Sequence, residues 1–84
     1  MAYTVILKPK AEKELDRLPA DLHRRITEKL LALEQQPRPL GVQKLRGNEQ
    51  YRIRVGDYRI LYTIDDGRQW VEIIAIGNRR DVYR

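Results

Sequence analysis

The chain has 84 residues, of which 42% are hydrophobic and 35% are charged, with no cysteine and a formal net charge of +5 at pH 7. This length predicts one domain, residues 1–84, with a modest core and no room for a separate cofactor domain. The lack of cysteine excludes a disulfide framework, a thiolate metal site and a cysteine nucleophile. No apolar run approaches a membrane span, and no signal segment is recognisable, so we expect a soluble cytoplasmic protein.

The first half of the sequence predicts a strand and two helices. The run YTVIL, residues 3–7, is rich in β-formers, and Pro9 can occupy the first turn of a helix over residues 10–18. Pro19 breaks that helix, and Asp21 is a candidate N-cap for a second helix that continues to about Gln35. Apolar residues recur at helical spacing in both segments: Ala11, Leu15 and Leu18, then Leu22, Ile26, Leu30 and Leu33.

The second half predicts a loop followed by three antiparallel strands. A loop is predicted for residues 36–41, QPRPLG, and a polar segment follows at residues 44–50, KLRGNEQ. A β-hairpin is predicted for residues 51–62, YRIRVGDYRILY, with Gly56-Asp57 as its turn. Asp65-Asp66-Gly67 marks the next turn, and WVEIIAI, residues 70–76, reads as a central strand covered on both faces. We therefore expect an α+β fold: an N-terminal strand, a two-helix hairpin and a three-strand meander, with the helices on one face of a roughly four-stranded sheet.

The hairpin has one apolar and one cationic face. With Gly56-Asp57 as the turn, Arg54 lies opposite Arg59 and Arg52 lies opposite Leu61, all on the face away from the core. Like charges directly opposite each other destabilise a sheet, so a bound anion would explain their presence. The second half of the chain also holds nine Lys/Arg against six Asp/Glu, and eight of the nine are Arg. Arginine suits bidentate phosphate contact and stacking on bases, although charge alone is also compatible with a solvated basic surface.

The familiar catalytic and metal constellations are absent from the sequence. His23 stands alone beside two arginines on a helix, and we assign it no role. Turn chemistry accounts for Asp57, Asp65 and Asp66, so we expect neither a metal nor another cofactor. There is no phosphate-binding P-loop, no dinucleotide fingerprint and no arguable Ser-His-Asp group.

A basic cluster near one end of the predicted sheet is the remaining candidate site. A phosphate-rich ligand such as RNA fits guanidinium groups together with a tyrosine that can stack on an unpaired base or transfer a proton. Alternatively, Tyr83 packs on the sheet and the arginines pair with Glu49, Glu72 and Asp81. The cluster comprises Arg52, Arg54, Arg59, Arg79, Arg80 and Tyr83, with Lys44 and Arg46 leading into it.

Three segments of the second half carry a resemblance to a known family: KLRG at 44–47, YRIRVGDYRILY at 51–62 and VEIIAIGNRRDVY at 71–83. They resemble the RelE/ParE superfamily of type II toxins, and the resemblance covers the whole chain. It is greatest to the RelE branch, whose members are mRNA interferases that cut messenger RNA in the ribosomal A site and are neutralised by a cognate antitoxin. The resemblance implies metal-independent cleavage in which the RNA 2′-OH attacks the adjacent phosphate. Expected partners are therefore a RelB-like antitoxin, the ribosome and mRNA, with no membrane.

The resemblance also implies roles for individual residues. Arg54 and Arg59 would stabilise the phosphate, Arg79 would act on the leaving-group side, and Tyr83 would stack on a base or move a proton. Arg52 stands where the best-known members have a lysine, and arginine is a poor general base because it stays protonated. Lys44, Arg46 and Arg80 would contact RNA, and Asn78 stands where many relatives have a basic residue or histidine.

Two other functions remain open at this point. A ParE-like protein on the same scaffold would poison DNA gyrase without nuclease activity. A degenerate toxin would bind an antitoxin without inhibiting growth.

Overall fold

The computed structural model describes residues 2–45 and 49–78. Two helices, α1 (Pro9–Asp16) and α2 (Ala20–Gln35), follow the first strand, β1 (Thr4–Leu7). Four further strands come after them: β2 (Gln43–Lys44), β3 (Gln50–Val55), β4 (Tyr58–Asp65) and β5 (Trp70–Asn78). The predicted α+β fold is confirmed.

The five strands form one sheet in the order β1-β5-β4-β3-β2. β1 runs parallel to β5, whereas β2, β3, β4 and β5 are joined by antiparallel pairing. The predicted meander is therefore present, and β2 adds a fifth, two-residue strand where only a polar segment was expected. β5 has the predicted interior position, but Glu72 and Ile74 on it are partly exposed, so its second face is only partly covered.

The β3–β4 hairpin has the register that the sequence predicted. Val55 pairs with Tyr58, Arg54 with Arg59, and the pairing continues to Gln50 opposite Thr63. Gly56 has φ of +60°, the left-handed region that a residue with a side chain enters at a cost. A glycine with positive φ at the first central position is typical of a type II′ turn, which matches the twist of the flanking strands.

A β-bulge explains why β5 is almost continuously apolar. Tyr62 pairs with Ile73 and Leu61 with Ala75, so Ile74 is an extra residue that resets the alternation of side chains. As a result, both Ile73 and Ile76 are buried in the helix-facing core, although three positions separate them. The apolar run of β5 thus reflects a change of phase along the strand as well as its interior position.

The core lies between the helices and one face of the sheet. The helices contribute the predicted stripe, except that Leu18 and Leu22 are only partly buried. Within the described residues, neither helix is long and apolar enough to cross a membrane. The buried core residues are Ala11, Leu15, Ile26, Leu30, Leu33, Ile53, Val55, Ile60, Tyr62, Val71, Ile73 and Ile76.

The prediction that Asp21 caps α2 is wrong. The helix begins two residues earlier than that cap implies, at Ala20 with Pro19 at the N-cap position, and the Pro19 carbonyl accepts the first helical hydrogen bond from His23 N–H at 2.8 Å. Asp21 instead lies in the first turn, exposed, 3.7 Å from Arg24. A carboxylate there still stabilises the helix through its dipole, without forming the cap.

Candidate functional site

Two arginines oppose each other on the sheet face that points away from the helices. Arg54 on β3 pairs in register with Arg59 on β4, which in turn pairs with Gly77 on β5. Residues directly opposite each other in antiparallel strands point to the same face, so the three positions form one row across the sheet. Because Gly77 has no side chain, the positive charge of this row comes from β3 and β4.

The two arginines differ in exposure. Arg54 is exposed, whereas Arg59 is the one charged residue buried in the described part of the chain, at 5% exposure, and it has interaction partners. Burial fixes a long side chain in few rotamers, so the Arg59 guanidinium is held in place before any ligand arrives. A small cleft of about 80 Å³ lies at this point, lined by Arg54, Gly56, Asp57 and Arg59.

Arg52 lies one row further from the hairpin turn. It pairs in register with Leu61, which pairs with Ala75, and both of these apolar residues are buried. The Arg52 Nη2 donates a hydrogen bond to Gln43 Oε1 on the edge strand β2. Arg52 and Arg54 also line an open cleft of about 380 Å³ at the edge of β3.

Two carboxylates that could have neutralised the arginines are engaged elsewhere. Glu49 Oε2 lies 3.6 Å from Lys44 Nζ, and Glu72 Oε2 lies 3.0 Å from Lys8 Nζ. Among the described residues, Glu49 and Glu72 therefore form ion pairs with lysines and not with Arg52, Arg54 or Arg59. Asp81, the third carboxylate of the alternative in which acidic residues pair with the arginines, lies outside the described residues.

Lys44 is not brought together with the arginine row. It pairs in register with Tyr51, and its Nζ lies 6.0 Å from the centre of the Tyr51 ring, which belongs to the helix-facing side of the sheet. Arg46, Arg79, Arg80 and Tyr83 lie outside the described residues, so their predicted roles stay predictions. The described chain ends at Asn78, which pairs with Tyr58 at the hairpin-turn end of the sheet.

An ion pair fixes the loop after α2 beside the sheet. Arg38 donates to both carboxylate oxygens of Asp66, at 3.2 and 2.9 Å, and the Tyr3 hydroxyl donates to Asp66 Oδ1 at 2.7 Å. These hydrogen bonds, with that from Arg38 first, hold the pKa of Asp66 below its ordinary value. Asp65 accepts the Arg68 backbone N–H at 3.0 Å, the local contact expected of a turn aspartate, whereas the partners of Asp66 come from distant segments.

Two stacked tyrosines connect this loop to the core. The rings of Tyr51 and Tyr62 are 5.8 Å apart and nearly parallel, and the Tyr62 hydroxyl donates to the Pro37 carbonyl at 2.8 Å. Burial raises the pKa of Tyr62 well above its ordinary value, so this phenol stays protonated and acts as a structural donor.

Cations from α2 also border the site, and sequence reasoning did not select them. Arg25 and Lys29 line a cleft with Glu28, Ala32 and Val55 on the α2 side of the hairpin. Their helical spacing could have indicated a shared cationic helix face, because positions 25 and 29 are four residues apart. His23, to which no role was assigned, is partly buried on the same helix.

Comparison with known proteins agrees with this architecture. Residues 5–83 match the family described as ParE toxin of type II toxin-antitoxin system, parDE. Toxin RelE of Mycobacterium tuberculosis is 38% identical over 98% of this chain and 87% of its own length. Toxin RelG of the same organism is 33% identical over 100% of this chain and 99% of its own length.

Solved structures of similar proteins share the fold. The archaeal RelE-RelB complex from Pyrococcus horikoshii contains a chain that superposes with a TM-score of 0.85 at 32% identity, covering 96% of this chain and 99% of that one. The isolated RelE toxin of E. coli gives a TM-score of 0.82 at 30% identity, covering 98% of this chain and 92% of that one. This chain therefore belongs to the ParE toxin family, within the RelE/ParE superfamily of type II toxins.

Proposed function

We propose that this toxin is a ribosome-dependent mRNA interferase that acts in the cytoplasm and cuts message in the ribosomal A site. The observation that carries the proposal is the direct opposition of Arg54 and Arg59 on the outer face of the sheet, in a chain most of which aligns with toxins named RelE. Opposed arginines cost stability unless an anion lies between them, and a scissile phosphate is such an anion. A protein of this size offers little surface to position RNA by itself, which favours dependence on the ribosome.

The proposed reaction uses the RNA itself as nucleophile. The 2′-oxygen forms a bond to the adjacent phosphorus, the bond from phosphorus to the 5′-oxygen breaks, and the products are a 2′,3′-cyclic phosphate and a 5′-hydroxyl. One proton leaves the 2′-OH, one is delivered to the departing 5′-oxygen, and no metal takes part. Negative charge accumulates on the phosphorane oxygens in between, and fixed cations lower its energy most effectively.

The described arginines fit the charge-stabilising part of this reaction. Arg59 is buried and therefore positioned in advance, and exposed Arg54 can close on the phosphate from the opposite strand. Arg52 is proposed to hold RNA rather than to accept a proton, because its guanidinium remains protonated and donates to Gln43. For the remaining positions we propose the roles that the family resemblance implies. Arg79 acts on the leaving-group side, and Tyr83 stacks on a nucleobase or carries a proton. Arg46 and Arg80 are proposed RNA contacts, and Lys44 is proposed to contact RNA from the helix-facing side of β2.

A RelB-like antitoxin is the proposed protein partner. The similar chain from Pyrococcus horikoshii was solved as a RelE-RelB complex. The present chain has part of a strand edge available for such a partner, because β2 pairs only with Tyr51 and Arg52 of β3. Among residues 2–45 and 49–78, the β3 backbone from Ile53 to Val55 has no strand on that side, and an extended acidic segment could pair there.

The experiment that tests the proposal is expression of the toxin in a translating extract, followed by mapping of mRNA 5′ ends. We expect arrested translation with new 5′ ends, and we expect Arg79→Ala, Tyr83→Ala and Arg54→Gln each to abolish most cutting. Arg24→Gln is the control, since Arg24 is exposed, is paired with Asp21 and lines none of the three clefts described at the hairpin. Intact message during arrest would overturn the proposal.

A gyrase inhibitor is the second candidate, and the match to a family described as ParE toxin is the observation that favours it. This function predicts DNA breaks in growing cells and uncut message, and it predicts that Tyr83→Ala leaves the toxicity unchanged. Cells that grow normally while the protein binds an antitoxin tightly would instead identify a degenerate toxin.

A further inference from the structure

We infer that Arg25 and Lys29 of α2 form a second phosphate-binding surface, which holds the single-stranded RNA backbone beside the scissile phosphate. The inference rests on the proposed function for the identity of the ligand as RNA. It adds two positioning residues on a helix, outside the strand arginines and the tail that the resemblance to known toxins indicated.

Arg25 lies directly over the hairpin turn. Its two terminal nitrogens are 3.4 and 3.6 Å from the position that a Cβ on Gly56 would occupy, and its Cζ is 3.9 Å from it. Gly56 also lines the small cleft between Arg54 and Arg59. The turn is therefore the point where the helix cation and the opposed strand arginines meet.

The charge of Arg25 is available to a ligand. Arg25 is exposed, and no ion pair joins it to any residue in the two described ranges, whereas its neighbour Arg24 lies 3.7 Å from Asp21. Glu28, which lines the same cleft, forms no ion pair with Arg25 or Lys29. An exposed guanidinium without a carboxylate partner can approach a phosphate bidentately without breaking an existing contact.

Lys29 continues the surface along the edge of β3. It lines both the cleft that contains Arg25 and the larger cleft that contains Arg52 and Arg54. Those two clefts and the small cleft at the turn thus connect α2, the turn and the outer strand face. Five cations line them, Arg25, Lys29, Arg52, Arg54 and Arg59, against two carboxylates, Glu28 and Asp57.

RNA fits this arrangement better than an acidic polypeptide because the cations continue outward from the phosphate site. A nucleic acid strand carries one charge per nucleotide, so a strand held at its scissile phosphate places further phosphates on either side. Cationic side chains that flank the reacting phosphate, such as Arg25 and Lys29, strengthen binding of the RNA backbone without taking part in bond making or breaking.

The test is salt-dependent binding of a short fluorescein-labelled single-stranded RNA carrying 2′-O-methyl groups, which prevent cleavage. Full-length wild type, Arg25→Gln, Lys29→Gln and the matched control Arg24→Gln are compared by fluorescence anisotropy. We expect Arg25→Gln and Lys29→Gln each to weaken binding at low salt and to make the slope of log affinity against log salt shallower by about 0.7, the value for one single-strand phosphate contact. Arg24→Gln should match wild type.

Several results would overturn the inference. These are identical slopes for Arg25→Gln and Arg24→Gln, or no salt-dependent RNA binding by wild type. A third is weakened binding of a glutamate-rich peptide with unchanged RNA binding, which would assign the surface to a protein partner. Circular dichroism of each variant checks that the fold is retained.

A translating extract separates this inference from the proposed function. We expect Arg25→Gln to raise the toxin concentration needed for half-maximal cutting while leaving the cutting rate at saturation unchanged. Cleavage that does not respond to Arg25→Gln would overturn only the inference, whereas intact message with Arg25-dependent RNA binding would overturn only the proposed cleavage.

Discussion

Replacing Arg54 with glutamine should stabilise the protein while it removes activity. Arg54 is exposed and directly opposite Arg59, which is 5% exposed, so the substitution removes one of two like charges on neighbouring strands. Cross-strand pairs contribute roughly 0.2–1 kcal/mol, and salt screening of the exposed partner places the expected gain at about 0.5 kcal/mol. For a domain of this size, that gain corresponds to a rise in Tm of about 2–4 °C.

Arg52→Gln is the matched control for this prediction. Arg52 lies on the same strand and face but opposite Leu61 and only diagonal to Arg59, so its removal relieves less repulsion and loses the hydrogen bond to Gln43. Thermal unfolding followed by circular dichroism at low salt and at about 0.5 M salt separates the two effects, because screening reduces repulsion between charges. The stabilisation by Arg54→Gln should shrink at high salt, and Arg52→Gln should give none.

The same Arg54→Gln protein should cut message about 100-fold more slowly, the typical loss when one donor to a developing negative charge is removed. Higher stability together with lower activity would indicate that the opposed arginines are retained for a ligand. A Tm equal to or below that of wild type, or a gain that does not depend on salt, would refute the reasoning that the pair repels in the free protein.

Three further predictions concern the framework around the site. Tyr62→Phe leaves the Pro37 carbonyl without its buried donor and should lower the free energy of unfolding by about 1–2 kcal/mol in urea denaturation, and an unchanged value would contradict the structural role of this hydroxyl. Gly56→Ala places a side chain at φ of +60° and should cost about 1 kcal/mol, whereas Gly67→Ala, in a turn without a left-handed φ, should cost less in the same assay. Asp66→Asn should lower Tm at neutral pH. Because the pKa of Asp66 is depressed in the folded protein, its ionised carboxylate adds to folding stability above the unfolded pKa of about 3.9, and this stability is lost as the pH falls further. The melting temperatures of the two proteins should therefore converge in acid.

The sequence alone determined the elements whose signals are local. The hairpin register followed from one turn, Gly56-Asp57, and from strict alternation on either side, because a one-residue slip would have moved every apolar side chain to the wrong face. The helical stripe of Ile26, Leu30 and Leu33 was likewise readable from spacing. The opposition of Arg54 and Arg59, the central feature of the site, is a direct consequence of that register.

Tertiary structure decided the features that depend on contacts between distant segments. The bulge at Ile74 arises from matching β5 to β4, and the burial of Arg59 depends on the folded surroundings of the hairpin; neither can be read from the neighbouring sequence. The partners of Glu49 and Glu72 were also settled by three-dimensional proximity. A charged side chain can reach several neighbours, so the choice among them depends on where the folded backbone places it. The same reason explains why Arg25, adjacent in sequence to the paired Arg24, became recognisable as part of the site only when α2 was placed over the turn at Gly56.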